Sequence, residues 1–165
     1  PVIDYIKNKY ASGFKSRGIY HTFEIKDDRP QRRYFGTTIQ KVYQELLVYI
    51  RYLLERGEKV AVMSHDGSHS FTDFLKRNRV PFILLNNSVA NEQKIIENYS
   101  EVKKLYCTAG HSQMTAYALG LDFYSLISHD KLEYFLRDIG RFNKNNYTFV
   151  KDKTFLQNLK STYKS

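Results

Sequence analysis

The sequence contains a single cysteine, Cys107, among its 165 residues. One thiol cannot form an intrachain disulfide, and it cannot supply a cysteine-based zinc cluster. The longest apolar run, residues 46–54, is interrupted by Arg51 and falls far short of the roughly 20 residues that a membrane span requires. We therefore expect no transmembrane segment and a reducing compartment, by default the cytoplasm.

The first ten residues, PVIDYIKNKY, have neither the apolar core of an export signal nor an initiator methionine. We expect the sequence to be a piece of a longer protein, which leaves open a missing N-terminal domain or a homo-oligomer. Hydrophobic residues make up 42% and charged residues 26%, as is ordinary for a globular domain. The length favours one domain over residues 1–142, followed by a polar, Lys-rich tail over residues 143–165. This tail contains a short helix, which we expect to pack on the domain or on a missing partner domain.

The net charge is +9, from 26 basic and 17 acidic residues. Such an excess favours anionic partners by long-range attraction. The basic residues are scattered, with local density at Arg29, Arg32 and Arg33 and in the tail, and no zinc-finger spacing or glycine-rich RNA-binding signature occurs. The pattern argues against nucleic acid, favours a small anionic ligand, and leaves peripheral association with an anionic membrane surface open.

Short apolar runs alternate with segments of helical periodicity. Strands are predicted within residues 18–25, 58–64, 80–87, 103–110 and 123–128, and helices within 38–57, 70–78, 88–102, 112–120 and 130–140. Ser88 and Asp130 are the expected N-caps of two of these helices. The alternation predicts an α/β fold, a Rossmann-like three-layer domain with a mainly parallel sheet.

Polar clusters follow the predicted strands, at residues 64–70 and after Leu85, Cys107 and Ile127. In a parallel sheet these positions meet at one edge, where helix N-termini offer free N–H groups to anions. The candidate ligand-binding residues are Ser64, His65, Asp66, Gly67, Ser68, Gly110, Ser112, Gln113, Lys131, Arg29 and Arg33.

His111 is the candidate catalytic residue, because an imidazole titrates near neutrality and small residues surround it. A turn or capping role for His111 stays open, as does a solvated turn for the arginine cluster. His65, Asp66 and His69 are spaced like metal ligands, but a turn that caps the following helix is the favoured interpretation, and no metal is expected. Cys107 is most simply a buried strand residue.

The stretch GHSQMTAYALGLDFYSLISHDKLEYFLRDIG resembles the C-terminal segment of the polysaccharide pyruvyltransferase family. In that family a strand leads to an Arg-(apolar)-His turn, an Ala-rich helix ending in Gly, a second strand, a Lys and an Asp-(apolar)-Gly close. The matching residues here are His111, Ala116, Ala118, Gly120, Lys131, Asp138 and Gly140. The resemblance implies a GT-B-like architecture, two Rossmann-type domains facing a cleft, of which this chain is the C-terminal one. The sequence departs from the family at Ala109, where the family has its arginine, and this favours a sugar-nucleotide donor over a pyruvyl donor.

The expected function is that of a transferase in surface-glycan or polysaccharide biosynthesis, which moves a pyruvyl or glycosyl group to a glycan acceptor. The donor, phosphoenolpyruvate or a nucleotide sugar, is a substrate, and no cofactor is expected. Helix N-termini and Lys131 would hold the donor, and His111 would act as general base or as a charge-assisted donor to the leaving oxygen. The alternative is a non-catalytic basic module that binds nucleic acid or another anionic polymer.

Overall fold

A computed structural model describes residues 2–26, 37–65 and 69–163. The strands of the sheet are β1 (Tyr20–Glu24), β2 (Lys59–Ser64), β3 (Ile83–Asn86), β4 (Val102–Cys107), β5 (Phe123–Ile127) and β6 (Tyr147–Phe149). The helices of the described residues are α1 (Val2–Ile6), α2 (Ile39–Glu55), α3 (Ser70–Arg77), α4 (Glu92–Ser100), α5 (Gly110–Ala118), α6 (Asp130–Asp138) and α7 (Phe155–Ser161). A π-helical turn, Lys7–Ala11, continues directly from α1.

The six strands form one sheet in the order β3-β2-β1-β4-β5-β6, and every pairing is parallel. This confirms the predicted α/β class and the Rossmann-like arrangement. The order reverses between β1 and β4, because the chain leaves β3 at one edge and crosses over to β4 on the far side of β1. Such a reversal opens a crevice at the carboxyl ends of the two central strands.

Two hydrophobic cores lie on opposite faces of the sheet and make the domain three-layered. Phe23, Val62 and Tyr106 face the core formed with α2, α3 and α7. Met63 and Cys107 face the other core, formed with α1, α4, α5 and α6. Alternate residues of a strand point to opposite faces, so strands covered on both sides are mostly apolar, although His21, Thr22 and Glu24 of β1 are buried polar residues.

The long helix α2 shows how local sequence sets an element. The Thr38 side chain accepts a hydrogen bond from the Lys41 N–H at 3.1 Å, as an N-cap does. The helix buries one apolar stripe and ends at Glu55, two residues before Gly57, whose φ of +80° is favourable only for glycine. Its buried residues are Val42, Tyr43, Leu46, Leu47, Tyr49, Ile50 and Leu53.

Two predicted caps were wrong. The side chain that caps α4 is Asn91, which accepts from the Lys94 N–H at 2.9 Å, whereas the Ser88 hydroxyl and N–H both donate to the Asn86 carboxamide. The cap residue of α6 is His129, and Asp130 is the first residue inside the helix. Ser88 forms part of a turn before α4, and Asp130 lies in the first turn of α6, so neither residue occupies the N-cap position.

The segment after residue 142 contributes an edge strand and a packed helix to the domain. Strand β6 pairs with β5, from Ser125 opposite Tyr147 to Ile127 opposite Phe149. Phe155 and Leu159 of α7 are buried in the core beneath α2. The sequence analysis anticipated the helix but missed the strand.

Candidate functional site

The carboxyl ends of β1 and β4 are joined by a hydrogen-bonded clamp. The Glu24 carbonyl accepts from the Thr108 N–H at 3.1 Å, and Thr108 Oγ1 in turn accepts from the Lys26 N–H at 2.9 Å. The buried Glu24 carboxylate accepts from the Ala109 N–H at 3.1 Å. The clamp fixes the short turn that leads from β4 into α5, at the point where the strand order reverses.

Helix α5 begins at this turn with its first N–H groups open. Ala109 is its N-cap and provides no side-chain hydrogen bond, and no acidic residue lies in the first turn. The N–H groups of the first turn have no partner within the helix, and the helix dipole makes this end positive. A Cβ atom placed on Gly110 would meet no atom within 4 Å, so the space above this glycine is open. The start of α5 can therefore accept an anion.

His111 is the second residue of α5 and is exposed. Its carbonyl accepts from the Thr115 hydroxyl at 2.9 Å within the helix, while its ring has no hydrogen bond to any described residue. The exposed imidazole lies at the start of α5, and its role in ligand contact stays a prediction.

Ser112 and Gln113 point the other way, into the protein. The Gln113 carboxamide accepts a short hydrogen bond from the Ser125 hydroxyl and donates to the Leu132 carbonyl at 3.4 Å, and its N–H bonds to the Ala109 carbonyl. Gln113 therefore ties α5 to β5 and α6, and its fully buried side chain is not presented at the surface. Ser112 is fully buried, so its side chain is not presented at the surface.

Three buried serine hydroxyls at this edge have no hydrogen-bond partner among the described atoms. They belong to Ser64 at the end of β2, Ser112 in α5 and Ser128 just after β5. Ser112 lies beside the Tyr99 hydroxyl and moderates the rise in the pKa of Tyr99 that burial causes, yet the two groups lack hydrogen-bond geometry. Unsatisfied buried hydroxyls are costly, at about 1–3 kcal/mol each, and commonly mark a place for water or ligand.

His65 follows β2 and belongs to a polar network at the ends of β2 and β3. Its Nε2 lies 3.3 Å from the Tyr99 hydroxyl, and its Nδ1 lies 3.5 Å from the Asn87 carboxamide nitrogen. Asn87 is held in turn by Asn98, whose carboxamide donates to it at 2.6 Å. The ring of His65 is thus positioned by the fold, one strand away from the α5 turn.

Two further helices begin at the same edge without a side-chain cap. They are α3, whose N-cap is His69, and α6, whose N-cap is His129. Lys131 is exposed in the first turn of α6, which also contains Asp130. The first turns of α3 and α6 contain acidic residues and that of α5 contains none, but the Glu24 carboxylate already lies at the Ala109 N–H beside the start of α5.

The remaining candidates lie outside the described residues. These are Arg29 and Arg33, together with Arg32, in the segment after β1, and Asp66, Gly67 and Ser68 in the segment after β2. Within the described ranges no three His, Cys, Asp or Glu side chains are grouped so that they could hold a metal ion.

The sequence analysis overlooked Glu24, which closes the clamp. The available signal was an acidic residue at the carboxyl end of a predicted strand, residues 18–25. Burial, with the Glu24 charge adding to it, raises the pKa of the Cys107 thiol well above its usual value. Cys107 is a buried strand residue, as predicted, and its thiol stays protonated and unreactive.

Comparisons with protein-family models, with curated proteins and with solved structures found no match for this chain. Among the described residues, no helix is both long and apolar enough to cross a bilayer. The site is therefore interpreted from its own geometry.

Proposed function

We propose that this domain binds the anionic donor of a transferase of surface-glycan or polysaccharide biosynthesis, with a nucleotide sugar as the favoured donor. The observation that carries the proposal is the start of α5 at the switch in strand order. There a helix start whose own N-cap side chain makes no hydrogen bond, open space above Gly110 and the exposed ring of His111 lie together. Parallel sheets of this topology bind ligands at that position.

The first-turn N–H groups of α5 would hold a donor phosphate, and Lys131 at the start of α6 would add a positive charge to the same edge. Backbone N–H groups at a helix start suit this task because they are fixed in place before the ligand arrives. Phosphoenolpyruvate has the same anionic chemistry, but Ala109 is buried and offers no cationic group at the position where the resembling family has arginine. This supports the nucleotide sugar.

In the proposed reaction an acceptor hydroxyl of the glycan attacks the anomeric carbon of the donor sugar. A bond from the acceptor oxygen to that carbon forms, the bond from the carbon to the donor phosphate breaks, and His111 takes the hydroxyl proton. The phosphate leaves with the bonding electrons, and the helix N–H groups stabilise its charge. General-base catalysis of this kind contributes roughly 10²–10⁴-fold to a rate.

A test of the proposal is a thermal-shift screen of nucleotide sugars and phosphoenolpyruvate, with the native full-length protein. A ligand that binds only the folded state raises the apparent stability. The proposal expects a saturable rise in melting temperature with one nucleotide sugar and transfer of its sugar to a glycan acceptor. Stabilisation by polyanions of any kind, with no response to small donors, would support the binding-module alternative and contradict the proposal.

A further inference from the structure

A second cavity lies at the opposite, amino edge of the sheet, far from the α5 turn along the strands. It has a volume of about 280 Å³. His21 and Lys104, neighbours on β1 and β4, are its buried residues, with exposed fractions of 5% and 9%. Exposed Asp122 and the residues around Tyr163 form its rim. The cavity is thus deep and polar on the sheet side and open to solvent at the rim.

The ring of His21 is fixed at one nitrogen and unsatisfied at the other. Nδ1 lies 2.8 Å from the Tyr106 hydroxyl, which lies 2.7 Å from the Tyr49 hydroxyl. Nε2 is buried without a hydrogen-bond partner, and Glu58 Oε2 lies 3.6 Å away, too far for a hydrogen bond. Such an atom costs stability unless something absent from the folded chain satisfies it.

The surroundings of His21 indicate which chemistry Nε2 offers. Lys103 donates to both oxygens of Glu58, at 2.9 and 3.0 Å, and so lowers the pKa of that carboxyl. The resulting carboxylate, on the Nε2 side of the ring, favours the tautomer with its hydrogen on Nε2, and Nδ1 then accepts from Tyr106. Nε2 is therefore a hydrogen-bond donor that requires an acceptor oxygen.

The described residues that line the cavity carry as many acidic as basic side chains. Lys103 and Lys104 are opposed by Glu58 and Asp122, so a dianion such as phosphate would meet two carboxylates. The Lys104 ammonium lies 5.4 and 5.3 Å from the centres of the Tyr106 and Tyr124 rings, within the range of cation–π contacts. A ligand with one negative and one positive end matches this lining better than a simple anion.

We propose that the amino-edge cavity binds a small zwitterion of the α-amino acid class. Its carboxylate accepts from His21 Nε2 and from Lys104 in the buried part, and its ammonium group faces Asp122 and Glu58 at the rim. The volume lies at the lower end of the range for small-molecule sites, which suits a ligand of this size. This cavity is separate from the proposed donor site. The two proposals are therefore tested independently of each other.

The test is an NMR titration of the isotope-labelled protein with alanine, and with propionate, ethylamine and inorganic phosphate as matched probes. Propionate carries only the carboxylate and ethylamine only the ammonium. We expect saturable shifts of the His21 ring and of Lys104 with alanine at millimolar concentration, and binding of each single-charge probe weaker by about ten-fold or more. No saturable shift with alanine, or tighter binding of phosphate or propionate, would overturn the proposal.

Two variants and one control locate the binding. Asp122→Asn changes an exposed side chain and should fold normally, and Lys104→Met keeps the buried aliphatic chain without its charge. Each should weaken alanine binding by about ten-fold, since each removes one of the two charge contacts. Asp138→Asn, an equally exposed acid on α6, should leave binding unchanged. Equal affinities in the wild type and Asp122→Asn would contradict the zwitterion site even if Lys104→Met does not fold.

Discussion

The two edges of the sheet use similar side chains in opposite ways. At the amino edge, His21, Tyr106 and Tyr49 form a buried chain of contacts, and Glu58 is held by Lys103. At the carboxyl edge the ring of His111 is exposed and has no hydrogen bond to a described residue. The difference teaches that the position of a histidine relative to the strand ends, more than its neighbours in sequence, decides whether its ring is buried among partners or exposed to solvent.

The direction of the helices gives this difference a physical cause. Every helix that follows a strand starts at the carboxyl edge, so N–H groups and positive dipole ends gather there. The amino edge receives helix C-termini, whose carbonyl groups favour cations. Lys104 fits this rule, since its ammonium lies 3.5 Å from the Thr162 carbonyl after α7.

The largest expected effect is on the helix that covers the amino edge. Phe155 is fully buried at the start of α7, and α7 leads to Thr162 and Tyr163 beside the cavity. Phe155→Ala should lower the free energy of unfolding by about 3–5 kcal/mol, because it leaves a cavity in the core. Denaturant unfolding measures this loss. Lys153→Ala, an exposed change in the same segment, should stay within about 0.5 kcal/mol, and equal effects of the two would mean that the segment is a loose tail.

The second largest expected effect is a loss of turnover, caused by a substitution at the carboxyl edge. In the proposed reaction His111 is the general base, so His111→Ala in the full-length protein should lower turnover by about 100-fold, with a change in stability within about 0.5 kcal/mol. Turnover per folded molecule, measured beside a melting curve, checks this. His69→Ala removes another exposed histidine of the same edge and should leave turnover near normal. Normal turnover in His111→Ala would remove this residue from the mechanism.

Lowering the pH should reduce the stability of the folded protein, because His21 is buried at the amino edge of the sheet. Burial lowers the pKa of His21 from its usual 6.5 to about 4, while Glu58 opposes this shift. Between pH 4 and pH 6.5 the His21 imidazole is protonated in the unfolded chain but neutral in the folded protein. The free energy of unfolding should therefore fall as the pH drops from about 6.5 to about 4.

The fall should be on the order of 2–3 kcal/mol, followed below pH 4 by the loss of the contribution from Glu58, whose pKa is also lowered. Denaturant unfolding at a series of pH values measures it. His21→Gln should flatten the upper part of this profile, and an unchanged slope in the variant would contradict the assignment.

The smallest effect concerns the open space above α5. Gly110→Ala should keep or raise stability, by about 0.4–1 kcal/mol, because the new methyl group meets no neighbour, yet it should weaken donor binding. Gly120 has a φ of +74°, so Gly120→Ala should cost roughly 1–2 kcal/mol instead. Melting curves and donor titrations of the pair check this. Full donor affinity in Gly110→Ala would place the ligand elsewhere.

Strands β2 and β5 were predictable because burial on both faces makes them nearly continuous apolar runs. Strand β6 was missed because it has three residues, and Asn and Lys residues surround it. The π-helical turn that follows α1 was missed for a similar reason, since none of its residues is buried. Such elements are determined by the surface they pack against, which a local pattern does not contain.

For the site, the sequence predicted which loops share an edge but not which side chains face outward. Helix α5 has small or apolar residues around most of its circumference, so its pattern does not show that His111 points out while Gln113 points in. The Glu24 clamp joins residues 85 positions apart and depends on the register of β1 and β4. These features follow from tertiary contacts.

The most direct test of the account is NMR shift mapping of a nucleotide sugar on the isotope-labelled protein, repeated at rising salt. The account predicts that the largest shifts fall on the backbone of Gly110 and His111, with smaller shifts at Ser64 and Lys131, and that affinity weakens with salt through screening. Shifts concentrated on the lysines of residues 144–160, with none at the start of α5, would contradict the donor site and favour a polymer-binding surface.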